Sequence, residues 1–104
     1  ATSGLGHAAF RTRSAAALER RRAALEAEGC AVTEVAKSFG HGKAYRFLDP
    51  DGHVFELYYD TQWYEAPPER RPSLKNQAER YPARGVNVRR LDHFNCLAVD
   101  VRAC

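Results

Sequence analysis

The chain has 104 residues, of which 44% are hydrophobic, and a formal net charge of only +3. That length suits about one small domain, since domains usually run to roughly 100–150 residues, and it leaves no room for a second complete core. Basic and acidic residues are interleaved and no apolar run approaches the roughly 18 residues that span a bilayer, which argues against nucleic-acid and membrane partners and predicts a soluble, cytoplasmic protein.

The first predicted elements are a short strand and a helix. Gly6 to Thr12 has the composition of a strand, and the hydroxyl of Ser14 can cap the free amides that open a helix. The helix is predicted over Ala15 to Glu28, and Gly29 is a natural C-terminal stop. Its predicted apolar stripe comprises Ala17, Leu18, Ala24 and Leu25. Its predicted solvent side comprises Glu19, Arg22 and Glu26.

Three further strands are predicted after the helix. Ala31 to Ala36 alternates weakly, and Lys43 to Leu48 and His53 to Tyr59 are aromatic-rich strands. Asp49-Pro50-Asp51-Gly52 joins the last two, because proline presets φ and glycine supplies a positive φ for a hairpin turn. The order β-α-β-β-β predicts an α+β unit whose helix covers one face of a small antiparallel sheet.

The composition changes after this unit. Thr61 to Gly85 contains four prolines and no apolar period, which predicts a long connector. Val86 to Val101 resumes strand-like alternation, and Leu91-Asp92-His93 repeats the pattern of Leu5-Gly6-His7, so a second copy of the unit is predicted to begin there. The predicted organisation is a βαβββ module over 1–60, a connector over 61–85, and over 86–104 the start of a second copy, in a chain that is an internal piece of a longer one.

Three segments carry a family resemblance. They are Gly40-His41-Gly42-Lys43-Ala44, the run from Arg46 to Tyr59 that contains Asp-Pro-Asp-Gly-His and Glu-Leu, and Leu91-Asp92-His93-Phe94-Asn95. Together they resemble type I extradiol dioxygenases, especially catechol and homoprotocatechuate 2,3-dioxygenases, of the vicinal oxygen chelate superfamily. The resemblance implies paired βαβββ modules, with 1–60 as the second module of the amino-terminal domain, 61–85 as the connector, and 86–104 as the first strand of the next module, the truncated start of the catalytic carboxy-terminal domain.

The same resemblance implies a reaction and a metal. Such enzymes open catechols with O2, in aromatic compound catabolism, at non-haem Fe(II) or less often Mn(II), and they are homo-oligomers. Two histidines and a carboxylate hold the metal and leave positions open for substrate and dioxygen. His93 matches the first histidine, and the other two ligands are expected beyond Cys104, so the 104 residues alone are expected to be inactive.

Asn95 matches a family position beside the metal and is assigned a catalytic role by the resemblance. Residues two apart on a strand face the same side. His93 and Asn95 are therefore expected to point together into the cavity, with Phe94 turned away.

Two other functions remain open. A glyoxalase-like or antibiotic-resistance protein acting as a dimer would bind metal through His7 and Glu56, which are expected to project towards one face from neighbouring strands. We favour a structural role for both, because extradiol dioxygenases carry no metal in the amino-terminal domain. A non-catalytic module is the other alternative. His41 and His53 are expected to be exposed structural residues, and the hairpin aromatics are expected to pack the core.

Overall fold

A computed structural model describes residues 4–37, 40–73, 78–80 and 92–102. Strand β1 (Ala8–Arg11) is followed by helix α1 (Ala15–Ala27) and by strands β2 (Thr33–Val35), β3 (Ala44–Leu48) and β4 (Val54–Tyr58). A single 3₁₀ turn follows at Pro68–Arg70. The predicted βαβββ order and the α+β class are confirmed, with strands one to three residues shorter than predicted. No helix in the described ranges is long and apolar enough to cross a membrane.

The four strands form one mixed sheet in the order β1-β4-β3-β2. The β2–β3 and β3–β4 pairs are antiparallel, but β1 pairs with β4 in parallel, with Ala8 opposite Phe55 and Arg11 opposite Tyr58. The predicted all-antiparallel sheet is therefore wrong at this edge. The short links favour antiparallel neighbours, whereas β1 is joined through α1 and two strands to β4 and is free to run parallel to it.

Helix α1 begins and ends where the sequence indicates. The Ser14 side chain accepts a hydrogen bond of 3.1 Å from the Ala17 amide, and Gly29 has a φ of 84° just beyond the helix. The packing face differs from the prediction, since Ala17 and Leu18 are buried but Ala24 is exposed. Glu19, Arg22 and Glu26 lie on the solvent side as predicted, with side chains 41%, 34% and 46% exposed. The Glu19 carboxylate also accepts hydrogen bonds of 3.0 Å from the Tyr45 hydroxyl, and the Arg22 guanidinium lies 5.7 Å from the Tyr45 ring centroid.

The predicted hairpin between β3 and β4 is confirmed. Its turn is closed by hydrogen bonds from the Gly52 amide to the Asp49 carbonyl, 3.0 Å, and from the Asp49 amide to the His53 carbonyl, 3.1 Å. Gly52 has a φ of 85°, which glycine adopts readily and other residues rarely do. The second closing bond sets the register, so that Leu48 lies opposite Val54 and Arg46 opposite Glu56.

The expectation that the hairpin aromatics pack the core is confirmed for Tyr45, which is 4% exposed. Phe47 and Phe55 are only half-buried, and Phe10 is 47% exposed. The rings of Phe47 and Phe55 are stacked with centroids 5.8 Å apart, and Phe10 stacks on Phe55 at 6.1 Å. These contacts account for the alternation of aromatic residues without invoking a bound ligand.

The chain divides into two compact units, one of Ala1–Gln62 with Cys96–Cys104 and the other of Trp63–Asn95. The predicted strand over 86–101 is not formed at residues 92–101, and residues 86–91 lie outside the described residues. A strand is stable only beside a hydrogen-bonding neighbour, and the four described strands pair with one another and not with this segment. The division into connector and second module remains a prediction.

Within the second unit, the segment after Gln62 is held by a buried carboxylate. Glu79 is 5% exposed and accepts hydrogen bonds of 2.7 Å from the Tyr64 hydroxyl and from the Arg70 guanidinium. The Arg80 amide donates to the Arg70 carbonyl at 2.8 Å. The predicted connector thus has specific internal contacts although it contains little regular secondary structure.

Candidate functional site

Two pairs of site residues were predicted, His7 with Glu56 and His93 with Asn95, and the structure brings the first pair together. His7 lies directly before β1 and Glu56 lies in β4, and the parallel pairing of these strands places His7 Nε2 3.8 Å from Glu56 Oε2. The Glu56 side chain is fully buried, whereas that of His7 is 21% exposed. The expectation that both residues project from neighbouring strands towards one face is confirmed.

Arg46 completes this cluster and was not anticipated from the sequence. It lies opposite Glu56 in the hairpin, and its Nε donates to Glu56 Oε2 at 2.6 Å. The Arg46 side chain is 34% exposed, so the cluster is buried at the carboxylate and open at the guanidinium. A buried carboxylate is stable only with a compensating charge or hydrogen bonds, and here Arg46 provides both.

His93, the histidine singled out by the family resemblance, lies in a different environment. Its Nδ1 is 3.0 Å from Asp92 Oδ2, and the two side chains are 74% and 79% exposed. An imidazole with one nitrogen on a carboxylate has its tautomer fixed, which is how metal-binding histidines are commonly oriented. Leu91, the first residue of the motif, lies outside the described residues.

Asn95 is exposed, like His93. The expected common orientation of the two side chains depends on strand alternation, and residues 92–98 form no strand. Their shared orientation and their roles at a metal stay predictions.

The two histidines to which no chemistry was assigned are half-buried rather than exposed. His41 stacks on Tyr58 with ring centroids 3.7 Å apart, and its Nδ1 is 3.0 Å from Thr61 Oγ1. His53 Nδ1 is 2.7 Å from Asp49 Oδ2. Each histidine is partly shielded from solvent because a neighbouring side chain contacts its ring or its Nδ1. Sequence spacing does not predict these contacts.

Two carboxylates away from the cluster have perturbed pKa values. Hydrogen bonding from Lys43, with a further contribution from Tyr45, holds the pKa of Glu19 below its ordinary value. Burial pushes the pKa of Asp49 upward, but hydrogen bonds from the His53 side chain and amide outweigh it, and the net direction is downward. Glu19 stabilises the contact between the helix and Tyr45, and Asp49 stabilises the β3–β4 turn. Neither carboxylate is paired with His7 or His93.

The metal expected from the resemblance can be tested against the donors present. Across the described ranges no three His, Cys, Asp or Glu side chains are grouped so that they could hold a metal ion. Glu56 contacts His7 and forms an ion pair with Arg46, and Asp92 and His93 are an exposed pair. The described residues therefore do not form a complete three-ligand centre.

Known proteins similar to this chain belong to one group of enzymes. A metapyrocatechase of Geobacillus stearothermophilus is 44% identical over 97 residues, which cover 93% of this chain and 30% of the relative. A manganese-dependent 2,3-dihydroxybiphenyl 1,2-dioxygenase of Geobacillus genomosp. 3 is 40% identical over 91 residues, covering 86% and 29%. The chain thus spans about three tenths of the length of these two relatives.

A solved structure and a family model also match. The 2,3-dioxygenase LapB from Pseudomonas sp. KL28 is 32% identical, with a TM-score of 0.49 over 52% of this chain and 19% of that one. The model of the catechol 2,3-dioxygenase-like N-terminal domain matches residues 5–62, which contain the whole described sheet and helix. This chain therefore belongs to the catechol 2,3-dioxygenase-like N-terminal domain family.

Proposed function

We propose that this chain is part of an extradiol dioxygenase that opens catechols with O2 in aromatic compound catabolism. The observation that carries the proposal is the 44% identity to a metapyrocatechase across 93% of the chain, which extends past the family-model match at residue 62 and through the Asp92-His93 segment. Catecholic substrate and dioxygen are the proposed ligands of the whole enzyme, and a homo-oligomer in the cytoplasm is its proposed state.

The proposed metal is Fe(II), with Mn(II) as the alternative. A manganese-dependent relative supports a divalent redox metal of this kind without deciding between the two. Such a metal, when bound, supplies positions at which a catechol and dioxygen can be brought together. The described residues hold no complete ligand set, so this chain is proposed to contribute one ligand, His93, and one adjacent group, Asn95.

The part played by Asp92 follows from its distance to His93. Its carboxylate lies 3.0 Å from His93 Nδ1, where it would accept a hydrogen bond from Nδ1–H and leave Nε2 as the nitrogen that would bind metal. Asp92 is thus proposed to orient the ligand histidine. Both side chains are largely exposed in the 104-residue chain, which suits a site that is closed by further protein.

The βαβββ module has a supporting role in this proposal. Glu56, the carboxylate beside His7, is neutralised by Arg46 and is therefore poorly placed to serve as a ligand. This arrangement supports the assignment of the catalytic metal to the His93 segment and disfavours the glyoxalase-like alternative that uses His7 and Glu56.

A ring-cleavage assay tests the proposal. The full-length protein that contains this chain, reconstituted with Fe(II) or Mn(II), is expected to convert catechol or a substituted catechol to a yellow ring-opened product. The 104-residue chain, tested beside it with the same metals, is expected to give no product above the metal-only rate, because two of three ligands are missing. Absence of product from the full-length protein, or product from the short chain, would contradict the proposal.

A further inference from the structure

A groove bounded by helix α1 and by strands β1 and β4 is lined by arginine side chains. Its volume is about 630 Å³, and four arginines contribute to its lining: Arg11, Arg13, Arg20 and Arg21. The other described lining residues are Thr12, Ala17, Ala24 and Leu57, so none of the described lining is acidic. We infer that this groove binds a compact polyanion that carries phosphate groups.

The helical spacing leaves Arg20 and Arg21 without carboxylate neighbours. Residues three and four apart are neighbours on the surface of a helix. For these two arginines, every such position holds alanine or leucine, namely Ala16, Ala17, Leu18, Ala23, Ala24 and Leu25. The next residue, Arg22, has glutamates at both spacings and pairs with Glu19 at 3.2 Å and with Glu26 at 2.6 Å. The helix therefore neutralises Arg22 and leaves the charges of its two neighbours uncompensated.

On the strand side of the groove, Arg11 is held by two contacts. Its Nε donates to the Tyr59 carbonyl at 2.9 Å, and its guanidinium lies 5.1 Å from the Tyr59 ring centroid. A guanidinium that is already ordered loses less conformational entropy when it binds an anion. Arg13 follows in the link to α1, and like Arg20 and Arg21 it forms no ion pair with a described residue. The groove thus combines one ordered guanidinium with three that no described carboxylate neutralises.

The arrangement of the arginines favours phosphate over carboxylate as the bound group. Each guanidinium presents a planar fork of N–H donors that matches an oxyanion. The forks come from two sides, with Arg11 and Arg13 on the strand and its link and Arg20 and Arg21 on the helix. A phosphate monoester has three free acceptor oxygens and a charge of about −1.5 to −2, so it can accept from both sides at once. A carboxylate offers only two oxygens, which lie in one plane.

The surroundings of the groove limit the ligand to a compact molecule. Small-molecule sites usually have volumes of about 300–1,000 Å³, which includes the volume found here. Glu19 and Glu26 occupy the adjacent face of α1, where they pair with Arg22, so the positive charge does not continue as a track for a long nucleic acid. The apolar lining at Leu57 accommodates an uncharged part of the ligand. The inference does not rest on the proposed function, since the His93 segment does not line the groove.

Calorimetric titration with sodium tripolyphosphate tests the inference. The full-length protein that contains this chain is titrated in about 0.15 M salt, where charges more than about 8 Å apart are largely screened. Saturable binding is expected, and Arg21→Gln is expected to weaken it by about tenfold or more, because a charge-assisted hydrogen bond is lost. Any binding of the probe at a metal is common to all variants, so the difference between variants isolates the groove.

Arg22→Gln is the matched control. It removes the same charge from the next residue of the same helix, but Arg22 is already paired with Glu19 and Glu26 and does not line the groove. The affinity of this variant is expected to stay within about twofold of that of the unchanged protein, since a charge outside direct contact is screened. Equal losses in Arg21→Gln and Arg22→Gln would show a general effect of charge and would overturn the inference.

Two further probes identify the chemical class of the ligand. Tighter binding of ATP than of tripolyphosphate would assign the site to a nucleotide, and equal or weaker binding would assign it to a phosphate chain alone; both results support a phosphate site. Citrate, a tricarboxylate, is expected to bind more weakly than tripolyphosphate. Citrate binding as tight as that of tripolyphosphate would contradict the assignment to phosphate.

Folding of the variants is checked by circular dichroism. Arg21→Gln is expected to keep the spectrum of the unchanged protein, because residue 21 is exposed and glutamine is a good helix former. If that spectrum changes, Arg13→Gln, which lies outside the helix, provides the same test and is expected to weaken binding too. Absence of saturable binding by the unchanged protein, or a folded Arg13→Gln or Arg21→Gln variant with unchanged affinity, overturns the inference.

Discussion

Glu56 illustrates how the neighbours of one residue determine its chemistry. A buried carboxylate beside a histidine has two of the donors that divalent metals prefer. The guanidinium of Arg46 at 2.6 Å turns the same carboxylate into half of an ion pair. Removing one partner of such a pair leaves an uncompensated buried charge, so Arg46 both stabilises the sheet and controls what Glu56 can bind.

Asn95 is the other residue whose role depends on what surrounds it. In the full-length enzyme, Asn95→Ala is expected to retain metal but lower turnover by about 10–100-fold, the usual effect of losing a polar group beside a metal site. Metal analysis and steady-state kinetics measure the two effects separately. Asn95→Asp serves as the control that keeps the size of the side chain, and unchanged turnover in Asn95→Ala would remove the residue from the site.

Gly52 has a role set by backbone conformation alone. Its φ is 85°, and a Cβ added there would meet no atom within 4 Å, so substitution strains the backbone without a steric clash. Gly52→Ala is expected to lower the free energy of unfolding by about 1 kcal/mol. Gly6→Ala is the control, because Gly6 has equally open space but no positive φ. Chemical denaturation measures both, and equal losses would contradict the account of the turn.

At the scale of elements, the β3–β4 hairpin shows what the sequence could and could not predict. The Asp49-Pro50-Asp51-Gly52 run located the turn, but a simple four-residue turn would pair Leu48 with His53. The bond from the Asp49 amide to the His53 carbonyl shifts the register by one residue and brings Arg46 opposite Glu56. The register of the hairpin thus creates the Arg46–Glu56 pair, which the position of the turn alone did not predict.

The same turn is expected to respond to acid. The pKa of Asp49 is lowered in the folded chain. The ionised carboxylate therefore stabilises the fold at pH values above its unfolded pKa of about 4, and this stabilisation is lost as the pH falls through the folded pKa. The melting temperature of the unchanged chain is expected to fall more between pH 5 and pH 2 than that of Asp49→Asn. Glu26→Gln, on the exposed side of α1, is the control. Parallel pH profiles for the unchanged chain and Asp49→Asn would contradict the expectation.

Helix α1 was predicted well at its ends and less well on its faces. Ser14 and Gly29 have local roles that require only the neighbouring backbone, and both are as expected. The contacts of Glu19 depend on Tyr45, which is 26 residues away. Its side chain is on the solvent side as predicted, but its hydrogen bonds to a tyrosine and a lysine could not be read from helical spacing.

At the scale of the whole molecule, the element order and family could be predicted because they depend on repeated local signals. Strand alternation, the helix cap and the hairpin turn each agree with one βαβββ module. The parallel β1–β4 pair could not be predicted, since it requires strands far apart in sequence to meet, and the Arg46–Glu56 pair depends on the exact register of the hairpin. The expected strand around His93 requires a neighbouring strand, and none of the described strands pairs with that segment.

The most direct test of the account is the metal content and turnover of the full-length enzyme with His93→Ala, compared with His7→Ala. If His93 is one of three ligands, its replacement is expected to lower bound metal and ring-cleavage turnover together, with turnover reduced by roughly 100-fold or more. Replacing a residue that only supports a ligand already lowers metal affinity or activity by about 10–100-fold. His7→Ala is expected to keep both, because its carboxylate partner is paired with Arg46. A His93→Ala enzyme with stoichiometric metal and normal turnover, or loss of metal in His7→Ala alone, would contradict the assignment of the catalytic site.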